Sequence, residues 1–185
     1  MRQQDYFPLV EKIRCRISTW TSRFLSYDGR LQLIKAVIMS LVNFWASVYL
    51  LPSKCIRDIE RICGAFLWSG PELKSTGAKV AWSTVCWEKE EGGLGIRDLK
   101  VVNRVNVLKI IWRLLTGSSL WGKWIRSNLL KQKNFWEIKE DTRMGSWMWR
   151  KMIKMREVAR SFHKKTWGME EILLSGLIIG LRRKF

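Results

Sequence analysis

Between Lys35 and Lys54 no residue carries a charge. A helical run of that length has two stable destinations. It can be buried on most sides within a bundle, or it can lie in a bilayer. Ser40, Asn43 and Ser47 interrupt the apolar run, and its basic flanks set no orientation. Burial in a helical bundle is therefore the expectation, and a membrane is not an expected partner.

The segments on either side carry helical periodicity. Leu9, Ile13, Ile17, Trp20 and Phe24 place one apolar stripe on a helix from Leu9 to Leu25. Lys12, Arg16, Thr19 and Arg23 repeat one position earlier, so a cationic stripe runs beside the apolar one. Such a face suits a phosphate backbone, and it suits plain solvation equally well. Asp28 is the expected N-cap of the long apolar helix, with Gly29 and Arg30 opening it. Pro52 stops that helix near Leu51 and can start the next, whose apolar face is Ile56, Ile59, Cys63, Phe66 and Leu67. Trp68-Ser69-Gly70-Pro71 ends it.

Residues 71–98 differ in composition, being rich in Gly, Ser, Thr and Glu. They read as a loop with short strands, for example Val80 to Val85. Gly92-Gly93-Leu94-Gly95 lacks the Gly-Lys-Ser/Thr ending of a phosphate loop, so a tight turn docked on the helices is expected. Helical pattern returns from Leu99 to Leu115, with Val102, Val105, Leu108, Trp112 and Leu115 inward. Gly117-Ser118-Ser119 breaks it. A further helix is expected from Ser119 to Leu130, and a last one from Ser146 to Phe162. The cations of that last helix, Arg150, Lys151, Lys154, Arg156 and Arg160, are spread around it.

The net charge of +18 is unevenly placed. It is +5 over residues 1–70, −1 over 71–98 and +14 over 99–185. A compact chain so charged repels itself unless a polyanion is near, and nucleic acid is the commonest such partner. An anionic membrane surface ranks second. The 12 tryptophans can fill gaps between helices or, where exposed, stack on bases. Cys15, Cys55, Cys63 and Cys86 show no Cys-x-x-Cys spacing, and His163 is the single histidine. No zinc site, metal or other cofactor is expected, and the apolar helical flanks favour reduced, buried thiols. Met1 to Val10 has no apolar signal core, so an intracellular compartment, nuclear or cytoplasmic, is expected.

Six short blocks stand in order along the chain. They are Leu25-Ser26-Tyr27-Asp28-Gly29-Arg30-Leu31-Gln32-Leu33-Ile34-Lys35 with Leu51-Pro52, Phe66-Leu67-Trp68-Ser69-Gly70, Lys79-Val80-Ala81-Trp82, Glu91-Gly92-Gly93-Leu94-Gly95-Ile96-Arg97-Asp98-Leu99, Trp112-Arg113-Leu114, and Ser146-Trp147-Met148-Trp149-Arg150. In order and spacing they resemble the region after the polymerase palm in reverse transcriptases of plant LINE-type (non-LTR) retrotransposons, over residues 9–162. Asp28 departs from the small residue usual in that family, and Trp87-Glu88-Lys89 replaces its apolar-Pro-Lys.

The resemblance implies a mainly α fold: a thumb-like helical bundle at 1–70, a Gly-rich loop/β insert at 71–98, and a second helical part at 99–162. A tail at 163–185 departs from the family. The implied role is that of a truncated RNA-directed DNA polymerase that binds RNA or an RNA–DNA duplex without sequence preference and does not polymerise by itself. The sequence holds no Tyr-x-Asp-Asp motif, and two-metal chemistry needs paired carboxylates. The upstream palm, the zinc-binding segment and the ribonuclease H domain of the family have no counterpart here. Basic residues placed on helix faces give the nucleic-acid-binding set Lys12, Arg16, Arg23, Arg30, Lys35, Arg150 and Lys154. No small-molecule substrate is expected. Three rivals stand beside this reading: a decayed relic, a subunit completed by another catalytic chain, and a basic peripheral membrane protein. For the tail, suitably chosen codons for Lys165 to Leu181 read in a shifted frame give the family's Gly-Asn-Gly and Phe-Trp-x-Asp-x-Trp continuation. The hypothesis of a frameshift near Lys164 fails if the coding DNA cannot be read this way. A genuine helix from Ile172 to Leu181 is the alternative.

Overall fold

The computed structural model describes residues 3–20, 25–74, 78–117, 119–131, 133–138 and 145–163. Arg23, Phe24 and the tail from residue 164 lie outside them. The chain divides into two compact units, Met1–Val102 and Asn103–Phe185.

The first unit is built on four helical segments. Helix α1, Gln3–Ser18, starts a turn and a half before Leu9 because Tyr6 extends the buried stripe backwards. Tyr6, Leu9, Val10, Ile13 and Ile17 face inward at helical spacing, and Pro8 is tolerated inside the helix. The helix closes where the Ser18 and Thr19 hydroxyls donate back to the carbonyls of Cys15 and Arg16, at 2.8 and 2.7 Å.

Helix α2, Tyr27–Leu33, passes through a π-helical turn, Ile34–Ile38, into α3, Met39–Val48. Its N-cap is Ser26, not Asp28. The Ser26 hydroxyl accepts from Gly29 N at 3.1 Å. Capping at Asp28 would drop Tyr27 from the helix, whereas Tyr27 packs its ring 5.5 Å from that of Trp68. Asp28 instead sits in the first turn, where its charge favours the positive end of the helix dipole. The continuous helix Tyr27–Val48 is long and apolar enough to cross a membrane by length and composition. Its inner face, Ile34, Ile38, Met39, Val42 and Ala46, belongs to the protein core. Phe44, Val48 and Tyr49 are exposed.

Pro52 is extended and precedes α4, Ser53–Ser69. Cys55, Ile56, Ile59, Ile62, Cys63, Phe66 and Leu67 form its buried face, as the periodicity requires. Gly70, at φ 73°, ends it and donates its N–H to the Phe66 carbonyl.

No strand occurs among the described residues. The segment expected to be a strand contains a short helix, α5, Trp82–Val85. Val85 and Cys86 are buried and Trp82 packs on the core, a spacing that a helical turn satisfies and an alternating strand does not. Trp82 meets Gly64 of α4, where an added Cβ would lie 3.6 Å from the indole.

The double-glycine turn folds back on the residues just before it. Gly93 N donates to Glu88 O (2.9 Å), Leu94 N to Val85 O (3.0 Å) and Gly95 N to Trp87 O (2.8 Å). The chain is thereby folded back on α5, and Ile96 and Leu99 enter the core.

Helix α6, Leu99–Thr116, is capped by Asp98, whose carboxylate accepts from Lys100 N at 2.7 Å. The border between the two units falls within it. Its most buried positions are Leu99, Val105, Val107, Leu108, Ile111 and Leu114, with Asn103 and Asn106. Val102, Trp112 and Leu115, expected inward, are only half-buried. Apolar residues and the polar Lys100, Asn103, Arg104, Asn106, Lys109 and Arg113 are mixed around the helix, so periodicity alone does not fix which face is innermost.

The second unit continues with α7, Leu120–Ile125, and a π-helical turn, Arg126–Leu130. A short turn of 3-10 helix, Phe135–Glu137, follows, then α8, Trp147–Lys154, and α9, Arg156–His163. Ser119 and Ser146 are N-caps, accepting from Gly122 N (3.1 Å) and Trp149 N (3.3 Å). The Phe135 ring lies edge-on to Trp149, at 5.9 Å between centroids. The last expected helix is thus two, parted at Met155.

Cys55, Cys63 and Cys86 are buried, whereas Cys15 is exposed. Burial, aided by Asp58, pushes the Cys55 thiol up to about 12, and burial raises Cys63 as well. Because the thiolate is the reactive form, a native protein titrated with Ellman's reagent should release about one equivalent quickly and the rest only on denaturation. Rapid release of more than one would contradict the burial of these side chains.

Candidate nucleic-acid interface

The chain carries many cations, but the fold spends several of them internally. Arg30 is half-buried. Its Nη1 donates to the Phe66 carbonyl at 3.4 Å, at the C-terminus of α4 where the helix dipole is negative. Its Nε is buried with no hydrogen-bond partner. In the second unit Arg126 does the same for α6, donating to Leu114 O (2.6 Å) and Gly117 O (2.9 Å). Arg156 donates to Ile138 O and pairs with Glu157. Arg160 pairs with Glu157 and lies 5.7 Å from the Trp136 ring, and Lys151 lies 5.8 Å from Trp147.

What is left is more regular. On α1, Lys12 and Arg16 are both exposed, one turn apart. Glu11 is engaged with Arg14 at 3.8 Å, so no carboxylate pairs with Lys12 or Arg16 among the described residues. On α8, Arg150 and Lys154 are likewise exposed, one turn apart and without a carboxylate partner among the described residues. Two cations about 6 Å apart along a helix axis can each meet a phosphate of a nucleic-acid backbone.

Lys35 has another setting. It is half-buried at the π-helical turn, and its Nζ lies 3.8 Å from where a Cβ on Gly95 would stand. Of the seven cations that the sequence points to, four are therefore exposed as pairs, two are drawn into the first unit, and Arg23 lies outside the described residues.

Sequence pattern does not say which aromatic residues are exposed. Trp121 and Trp124 of α7 are 42% and 56% exposed, with Leu120 at 85%. Lys123 is exposed beside them. Ile125 and Gly122 turn inward from the same helix. Around 120–125 Lys123 is the one charged position among apolar residues, too little pattern to mark which rings face water. Trp20 and Trp149 are buried, which is the gap-filling role. Among the described residues no group of three or more His, Cys, Asp or Glu side chains is placed to hold a metal ion.

Two curated proteins of Arabidopsis thaliana are similar to this chain. One, described as "Putative ribonuclease H protein", is 36% identical over 167 residues, or 85% of this chain and 26% of that protein. The chain thus spans about a quarter of that relative's length. The other, described as "Uncharacterized mitochondrial protein", is 29% identical over 140 residues, covering 70% of this chain and 90% of that protein. No protein-family model matches the chain, and no solved structure does.

Proposed function

We propose that this chain corresponds to the region after the palm of a LINE-type reverse transcriptase, and that it binds RNA or an RNA–DNA duplex through the phosphate backbone. The observation that carries the binding role is the pair of exposed cation doublets, Lys12/Arg16 and Arg150/Lys154, left unpaired while other arginines are consumed by helix ends. The partial match to a larger relative described as a ribonuclease H protein supports the origin, because the resembled polymerases carry such a domain beyond this region. Trp121 and Trp124 would add stacking on unpaired bases, which tolerates any sequence. The role we propose for these cations is binding. We read the long apolar helix as a core helix and not a bilayer span, because Ile34, Ile38, Met39, Val42 and Ala46 share one buried cluster with residues of α1 and α4.

The test is a salt titration with a labelled RNA–DNA hybrid. With about four phosphates neutralised, the slope of log affinity against log salt should be about −3.6, so going from about 50 to about 200 mM salt weakens binding roughly a hundredfold. Replacing Lys12 and Arg16 together by Gln should flatten the slope by about two. Hybrids of unrelated sequence should bind equally. An affinity indifferent to salt, or strongly dependent on sequence, would overturn the proposal.

A further inference from the structure

The first unit contains a cavity of about 420 Å³ with a mixed lining. Met39 of the long apolar helix and Leu99 and Val102 of α6 contribute apolar lining, and Met39 and Leu99 are buried in the core. Lys35 from that helix and Arg97 from the loop before α6 add one cation each, and Ser40 and Asn43 add polar groups to the lining. No Asp or Glu contributes to the lining. Asp98, the neighbour of Arg97, has its carboxylate bound to Lys100 N as the cap of α6.

Two backbone features build this arrangement. The π-helical turn Ile34–Ile38 carries Lys35, and such turns disturb the regular placing of side chains and recur at functional sites. Gly95 sits nearby at φ 65°, a left-handed backbone that favours glycine, and the Lys35 ammonium lies 3.8 Å from the position of an added Cβ, an ordinary contact distance. Lys89 also approaches Gly95, its Cγ 3.7 Å from the position of an added Cβ. Glu88, Glu90 and Glu91 are exposed in the adjoining turn and do not line the cavity.

Two cations without a carboxylate select an anion. Apolar side chains in the same lining suit an apolar body joined to that anion. The volume lies within the range of small-ligand sites. We infer that this cavity binds one nucleotide unit, with its phosphate between Lys35 and Arg97 and its base against Met39, Leu99 and Val102. The inference rests on the nucleic-acid reading above only for the source of that unit, which can be a free nucleotide or the phosphorylated end of a strand.

The experiment compares adenosine 5′-monophosphate with adenosine by calorimetry on the full chain. The monophosphate should bind about tenfold tighter or more, the worth of a charge-assisted contact to phosphate. Lys35→Gln and Arg97→Gln should each remove about that factor, with unchanged thermal midpoints. Val102→Trp should block binding while leaving the charge intact. Oligonucleotides with a 5′-phosphate or a 5′-hydroxyl separate the sources. A strand end predicts preference for the phosphate and competition by the monophosphate, whereas a free nucleotide predicts neither. Equal binding of adenosine and its monophosphate, or indifference to both charge substitutions, overturns the inference. Hybrid binding measured on the same samples keeps the two proposals apart. Hybrid bound without monophosphate rejects the cavity alone, and monophosphate bound without hybrid rejects the exposed doublets alone.

Discussion

Gly93→Ala is expected to destabilise the first unit by about 3–5 kcal/mol, at the severe end for a single substitution. An added Cβ would stand 2.2 Å from the carbonyl oxygen of Trp87 and 2.4 Å from its carbonyl carbon. Both are backbone atoms and cannot swing aside. Relief requires opening the turn, which breaks the bonds of Gly93 N to Glu88 O and of Gly95 N to Trp87 O, and withdraws Ile96 from the core. Gly92→Ala is the control. Nothing lies within 4 Å of its Cβ position, so it carries only the left-handed backbone cost at φ 84°, about 1–2 kcal/mol. Urea unfolding of the two variants measures the difference. Equal midpoints would mean that the turn is not held against Trp87.

Phe66→Ala should cost a similar amount, about 3–5 kcal/mol, by a different route. Phe66 is fully buried on α4 and packs its ring 5.5 Å from Trp20. Truncation leaves a cavity between helices that carry the rest of the core, while the Phe66 carbonyl keeps its bond from Arg30. The thermal midpoint should fall by about 10 °C. Phe66→Leu, which refills most of the volume, should recover more than half of the loss. A midpoint shift of only a degree or two in the alanine variant would place Phe66 outside the core.

Helices with a single apolar stripe are legible in the amino-acid sequence. Ile56, Ile59, Cys63, Phe66 and Leu67 on α4, and Leu9, Ile13 and Ile17 on α1, are buried where their spacing puts them. Pro52 and Gly70 bound α4 through chemistry that is local to each residue. Three kinds of feature are not legible in this way. The innermost face of α6 depends on what surrounds a helix whose apolar and polar residues are mixed all round it. Residues 82–85 form a helix because Trp82, Val85 and Cys86 have a core to meet, a tertiary demand that local preference does not carry. The fate of each arginine is also hidden. Arg30 and Arg150 are both basic positions on a helix, yet one is folded onto a carbonyl 36 residues away and the other faces water. Pattern finds cations, but only the fold divides them between internal and external use.

The exposed thiol of Cys15 lies one turn from Lys12 and next to Arg16, while the other described thiols are buried. The wild-type chain therefore carries its own attachment point for an optical reporter. A maleimide dye placed there under native conditions would sit beside one of the two proposed phosphate contacts. Its emission would report arrival of a polyanion on α1 separately from events at α8, without any substitution in the chain.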